Sequence, residues 1–217
     1  MTRIANTTSI ILLLVATLES QYDPALTAAG ECPAVAQSDM LNANLATREQ
    51  LEAIMDREAV DALIAARPLL TLTALYEALE PVAGDEATRA LFTNVSVPIN
   101  LNTASREEIL LIPSVGNRMA HEFEEYRPYI AIAQFRREIG KYVDDEEVAR
   151  LEQYVFVPVN LNSASDEEIL SIPGVGNRML HEFKEYRPYK DLAQFRREVG
   201  KYVDDTELAR LERFVTL

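Results

Sequence analysis

Apolar and polar positions fall into short helical periods, broken at regular places, and the breaks recur along the chain. Near the C-terminus, Leu192, Phe195 and Val199 recur at i, i+3 and i+7, one face of a helix that Gly200 stops. Leu208, Leu211 and Phe214 mark a further helix, which Asp204 or Asp205 can cap. Upstream, Ser165-Asp-Glu-Glu-Ile-Leu-Ser-Ile172 is one amphipathic run and Asn177-Arg-Met-Leu-His-Glu-Phe-Lys-Glu-Tyr186 is another. Pro173-Gly-Val-Gly176 joins them. Pro173 stops the first helix, and Val175 between the glycines can point inward. No run keeps the strict alternation of a strand, so the pattern predicts four short helices in about 60 residues.

That pattern is an internal repeat with a period of 60. Residues 100–157 align with 160–217 without a gap, and 42 of the 58 aligned positions are identical. A more diverged copy starts near Leu41. Its Asn44-Leu-Ala-Thr-Arg-Glu-Gln-Leu51 aligns with Asn102-Thr-Ala-Ser-Arg-Glu-Glu-Ile109, and its Ala66-Arg-Pro-Leu69 with Tyr126-Arg-Pro-Tyr129. Ser105 with Glu108, Ser165 with Glu168 and Thr47 with Gln50 are spaced as capping boxes. Each second helix is expected to end at Arg-Pro, with Arg67, Arg127 or Arg187 in its last turn, where a cation suits the helix dipole. The expected fold is all-α, with tandem units at 41–98, 99–158 and 159–217. Units this small are marginal alone, so the copies are expected to pack on one another.

Residues 1–40 read differently. Arg3 followed by the apolar run Ile10–Leu18 has the length of an export signal and is short for a bilayer span. An export signal or N-terminal tether plus a linker is expected there, placing the protein in the periplasm, a lumen or another exported location. Cys32 is the sole cysteine, which excludes an internal disulfide and a cysteine-based metal cluster.

The hairpin Ile172-Pro-Gly-Val-Gly-Asn-Arg-Met179, flanked by Asn160-Leu-Asn-Ser-Ala164 and Tyr186-Arg-Pro-Tyr189, resembles the helix-hairpin-helix motif. Leader, hairpin and exit together resemble the small domain of the bacterial competence DNA-receptor family. The resemblance implies paired helix-hairpin-helix units, related to SAM-like helical domains. The small extrinsic lumenal subunit of photosystem II looks like the same architecture used structurally. The family's second glycine-rich hairpin would fall at Gly140-Lys-Tyr-Val-Asp-Asp145 and Gly200-Lys-Tyr-Val-Asp-Asp205, where one glycine remains and two aspartates have entered. A second phosphate cradle is therefore not expected.

In DNA-binding members the hairpin N–H groups and the next helix N-terminus hold a phosphate oxygen, and a basic side chain adds charge. Carried over, the resemblance points to Gly174, Val175, Gly176 and Arg178 in the third copy, and to Val115, Gly116 and Arg118 in the second, where Ser114 replaces the first glycine. The first copy has Ile54-Met-Asp-Arg-Glu-Ala59 there and should bind no phosphate. Gly174 and Gly176 can supply a positive φ, and Gly116 and Gly176, just before the second helix, are where a left-handed residue is expected. On the bland reading, the hairpin is only a packing device.

Charge works against nucleic acid. The net charge is −14. Residues 1–98 hold 13 acidic and 5 basic side chains (−8), 99–158 hold 11 and 7 (−4), and 159–217 hold 11 and 9 (−2). Nonspecific DNA affinity comes mostly from basic side chains displacing counterions, and the only basic pairs are Arg136-Arg137 and Arg196-Arg197. His121 and His181 lack the second histidine of a His-Glu-x-x-His site, with Glu125 and Glu185 in its place, so no metal is expected. The glutamates from Glu122 to Glu125 read as a solvated helix face. Tyr129, Tyr142, Tyr189 and Tyr202 sit beside turns and are candidate anchors for a protein partner. No nucleophile–base pair stands out, and no cofactor or small-molecule substrate is expected. The sequence thus points to a non-enzymatic binding or assembly protein, with a protein partner or membrane-associated complex. A competence-like DNA-binding protein is the alternative.

Overall fold

The computed structural model describes residues 40–217. The candidate leader, the linker and Cys32 lie outside the described residues. The first copy runs β1 (Leu41–Asn42), α1 (Arg48–Glu52), α2 (Arg57–Ala65), α3 (Leu72–Ala83), α4 (Asp85–Leu91) and β2 (Val95–Ser96). The second runs β3 (Ile99–Asn100), α5 (Arg106–Ile109), α6 (Asn117–Glu125), α7 (Ile132–Ile139), α8 (Asp145–Glu152) and β4 (Val155–Phe156). The third runs β5 (Val159–Asn160), α9 (Asp166–Leu170), α10 (Asn177–Glu185), α11 (Leu192–Val199), α12 (Asp205–Glu212) and β6 (Val215–Thr216). The described residues are mostly helical, as the periods predict. The strands were not expected, because two residues are too few to show alternation.

Each pair of strands closes its own copy. β1 lies parallel to β2, β3 to β4 and β5 to β6. Leu41 donates its N–H to Asn94 O, Ile99 to Tyr154 O and Val159 to Phe214 O, at 2.7–2.8 Å. Val97-Pro98 and Val157-Pro158 lead from one clasp into the next, and a proline has no N–H with which to extend the ladder.

A second closure joins the opening loop to the segment after the second helix. Asn102 Nδ2 donates to Tyr129 O at 2.8 Å, and Tyr129 N–H donates back to Asn102 Oδ1 at 2.6 Å. Asn44 makes the same two-way bond with Leu69, and Asn162 with Tyr189. The adjacent arginine reinforces it. Arg67 donates to Ala43 O and Ala46 O, Arg127 to Leu101 O and Ala104 O, and Arg187 to Ala164 O. This corrects the expectation that these arginines occupy a last helical turn. The helices end at Ala65, Glu125 and Glu185, and each guanidinium satisfies carbonyls of the loop instead.

Thr47–Gln50 and Ser165–Glu168 are complete capping boxes. Ser105 caps α5, but Glu108 does not reach back to it. Its Oε1 accepts the N–H of Leu72, the first residue of α3, at 2.8 Å, so the second copy caps a helix of the first. Tyr154 of the second copy donates its hydroxyl to Phe92 O of the first, at 3.0 Å. The two copies share one core, in which Leu63, Leu75 and Phe92 join Ile109, Phe123 and Phe135. The third copy has a core of its own around Phe183, Phe195 and Phe214, with Phe156 packed against it. Arg213 of the third copy stacks over Phe156 and Phe214 and donates to Pro98 O at 2.9 Å. Burial pushes the Arg213 guanidinium down to about 10 and pushes the Glu108 carboxyl up. Desolvation thus outweighs both the attraction between these two groups and the Leu72 N–H.

Two outcomes follow from these contacts. Asn102→Ala leaves the buried Tyr129 backbone without its partners and should cost about 1–3 kcal/mol in urea unfolding. Asn117→Ala, at an exposed helix start, should cost little. Glu108 binds its proton more tightly in the folded than in the unfolded protein. Its contribution to stability is therefore fully present below the ordinary carboxylate value of 4.5 and is lost as pH rises through the raised value. Glu108→Gln keeps an acceptor for Leu72 N–H, and its stability relative to the parent should improve as pH rises from about 4 toward neutrality. A stability difference that is flat with pH would contradict this.

Candidate functional site

The hairpins between α5 and α6 and between α9 and α10 share one construction. Ile112 and Ile172 are buried, and their carbonyls accept the N–H of Val115 and Val175 at 3.1 and 3.0 Å. Both valines are buried, as the apolar position between the turn residues implied. The left-handed residue, however, is the one before valine: Ser114 at φ 66° and Gly174 at φ 81°. Gly116 and Gly176 have φ −101° and −112°, and a Cβ on either would meet nothing within 4 Å. The expectation of a left-handed residue at Gly116 and Gly176 is thus corrected to Ser114 and Gly174, two residues earlier. A Cβ on Gly174 would lie 3.0 Å from Arg210 Nη2 and 3.3 Å from the Leu45 methyls, so this side of the hairpin rests on the first copy.

Of the phosphate candidates, Val115 and Val175 have already spent their N–H groups within the hairpin. What remains are the helix starts. α6 and α10 begin after Gly116 and Gly176 with no side-chain cap. Arg118 and Arg178 beside them are exposed and, among the described residues, have no carboxylate within ion-pair distance. The first copy closes this place, because the Asp56 carboxylate accepts Ala59 N–H at 3.1 Å. The basic pairs are neutralised internally. Arg136 binds Glu152, Arg137 binds Glu138, Arg196 binds Glu212 and Arg197 binds Glu198.

Beside the start of α6 lies a cavity of about 210 Å³, lined by Gly116, Arg118, Met119, Glu122 and Tyr142. Glu122 is only 8% exposed, and its Oε2 has no hydrogen-bond partner. This corrects the reading of Glu122 as part of a solvated face. The Tyr142 hydroxyl shares a 2.8 Å hydrogen bond with that of Tyr126, and Tyr126 first and Glu122 second hold the Tyr142 phenol well above its ordinary value. The third copy repeats the set. Glu182 is 8% exposed with an unpartnered Oε2, and Tyr202 is held up by Tyr186 and then by Glu182. The signal for these glutamates lay in the repeat itself, since the first copy carries Ala62 and Val82 at the places of Glu122 and Tyr142.

The tyrosines divide. Tyr129 and Tyr189 are 2% and 3% exposed, packed on Phe135 and Phe195, and burial pushes the Tyr189 phenol up to about 12. They are core residues, which corrects their reading as surface anchors. Tyr142 and Tyr202 keep surface exposure. His121 and His181 are exposed beside Glu125 and Glu185, and among the described residues no cluster of three ligating side chains could hold a metal. No helix of the described residues is long and apolar enough to cross a membrane. No family model, curated protein or solved structure matches this chain.

The hairpin geometry separates two substitutions that look alike in sequence. Gly174→Val forces a β-branched residue into the left-handed region and against Leu45, and should cost about 1–3 kcal/mol in thermal or urea unfolding. Gly176→Val, at negative φ with open space, should cost well under about 1 kcal/mol. Equal losses would contradict the assignment of the turn.

Proposed function

We propose that this is a non-enzymatic binding or assembly protein, whose tandem helix-hairpin-helix units meet a protein partner rather than nucleic acid. Support for the architecture is the tight Pro-Gly-Val-Gly turn between two helices, with its left-handed residue at Gly174. The observation that carries the function is the carboxylate of Glu122 in the cavity at the open start of α6, repeated as Glu182 beside α10. A phosphate would have to share that space with a buried like charge. The internal pairing of Arg136, Arg137, Arg196 and Arg197 points the same way, because counterion release needs cations that the protein has not already neutralised. In this reading the N-terminal apolar run exports or tethers the protein, and the partner belongs to an exported or membrane-associated complex.

The competence-like DNA-binding reading keeps one observation in its favour. The uncapped starts of α6 and α10, with Arg118 and Arg178 beside them, offer N–H groups and a free cation to an anion. A titration decides between the two. At about 0.15 M salt, duplex DNA should bind no tighter than weak nonspecific complexes, roughly 10⁻⁴ to 10⁻⁶ M. Submicromolar binding that Arg178→Glu abolishes would reverse the choice.

A further inference from the structure

We propose that the cavity beside α6, and the equivalent place on α10 where Glu182 repeats the buried carboxylate, are sockets for basic side chains of the partner, lysine or arginine, with Glu122 and Glu182 as their acceptors. This deepens the protein-binding reading above and rests on it. A buried carboxylate is costly unless its oxygens are satisfied by donors. The Tyr142 and Tyr202 hydroxyls are shared with those of Tyr126 and Tyr186, and Oε2 of each carboxylate has no hydrogen-bond donor.

The helical unit does not require this arrangement, since the first copy fills the same two places with Ala62 and Val82. Only the second and third copies carry the acid and the phenol. Their chemistry selects the ligand. Ammonium and guanidinium groups are pure donors and bear the opposite charge. The cavity of about 210 Å³ has room for such a head group and part of its stem, and Met119 gives the stem an apolar wall. Lys141 does not already serve as that donor, because its ammonium is paired with Glu138 and lies 5.1 Å from the centre of the Tyr126 ring. Arg118, exposed and also lining the cavity, is left for a carbonyl or carboxylate of the same partner. The net charge of −14 steers a basic segment toward both sockets.

Tetralysine titrated into the intact protein at about 0.15 M salt, followed by calorimetry or NMR shifts, tests this against simple charge attraction. Glu122→Gln with Glu182→Gln should weaken binding by about tenfold or more. Glu125→Gln with Glu185→Gln removes the same charge from exposed positions of the same helices and should weaken it less than about twofold. A variant carrying the first copy's own residues, Glu122→Ala, Tyr142→Val, Glu182→Ala and Tyr202→Val, keeps the socket question open to test if the glutamine pair folds poorly, and it too should lose binding. Equal weakening by the buried and exposed pairs, or no binding to the parent, overturns the sockets. If that happens while DNA binding stays weak, the protein-binding reading survives without them. Submicromolar DNA binding would remove that reading itself.

Discussion

The structure depends on one polar contact made three times: a side-chain amide that takes both the N–H and the carbonyl of a distant backbone residue. Asn44, Asn102 and Asn162 each hold the segment after a second helix against the loop before a first. Arg67, Arg127 and Arg187 fill the carbonyls that remain in that loop. The helices are four to twelve residues long and leave a large share of their backbone groups at ends. Such a fold stays dry inside only if those ends find partners, and here turn backbone and loop side chains share the task. The aromatic cores of Phe123 with Phe135, and Phe183 with Phe195, pack edge to face under this frame.

The copies have diverged in what they offer each other and what they offer solvent. The first spends its hairpin on a self-contained cap at Asp56 and gives its α3 start to Glu108. The second is welded to the first through a shared core and shows its other side to solvent at the cavity of Glu122. The third stands on its own core and reaches back through Arg213 to Pro98 and through Gly174 to Leu45. The three copies thus serve as a buttress, a joint and an outer module.

Much of this was legible beforehand. The four helices per copy follow from the spacing of Leu192, Phe195 and Val199 and from the caps at Thr47, Ser165 and Asp204. What escaped was long-range. Two-residue strands carry no period, so the parallel clasps were invisible. Arg127 was read against its nearest helix, because sequence shows neighbours along the chain and not the carbonyls of Leu101 and Ala104 folded beside it. Glu122 sits in a run of charged residues and looks solvated by composition. The fold leaves it 8% exposed, on a cavity shared with Tyr142, twenty residues later. Gly174 and Gly176 can both take a positive φ, and the place just before the second helix favours Gly176, whereas in this turn the bend comes one residue before the valine that enters the core.

The parallel clasp also bears on how such a chain can change length. Strands of two residues advance only about 7 Å and lie about 5 Å apart. Each copy therefore begins and ends at nearly one point in space. Between the last two copies, whose strands and helices are 60 residues apart throughout, an in-frame duplication or deletion of 60 residues adds or removes one complete set of elements with its own strand closure. With 42 of 58 positions shared between the last two copies, the architecture reads as a cassette whose number can change by recombination while each module keeps its own clasp, the cost falling on contacts between modules such as Glu108 with Leu72.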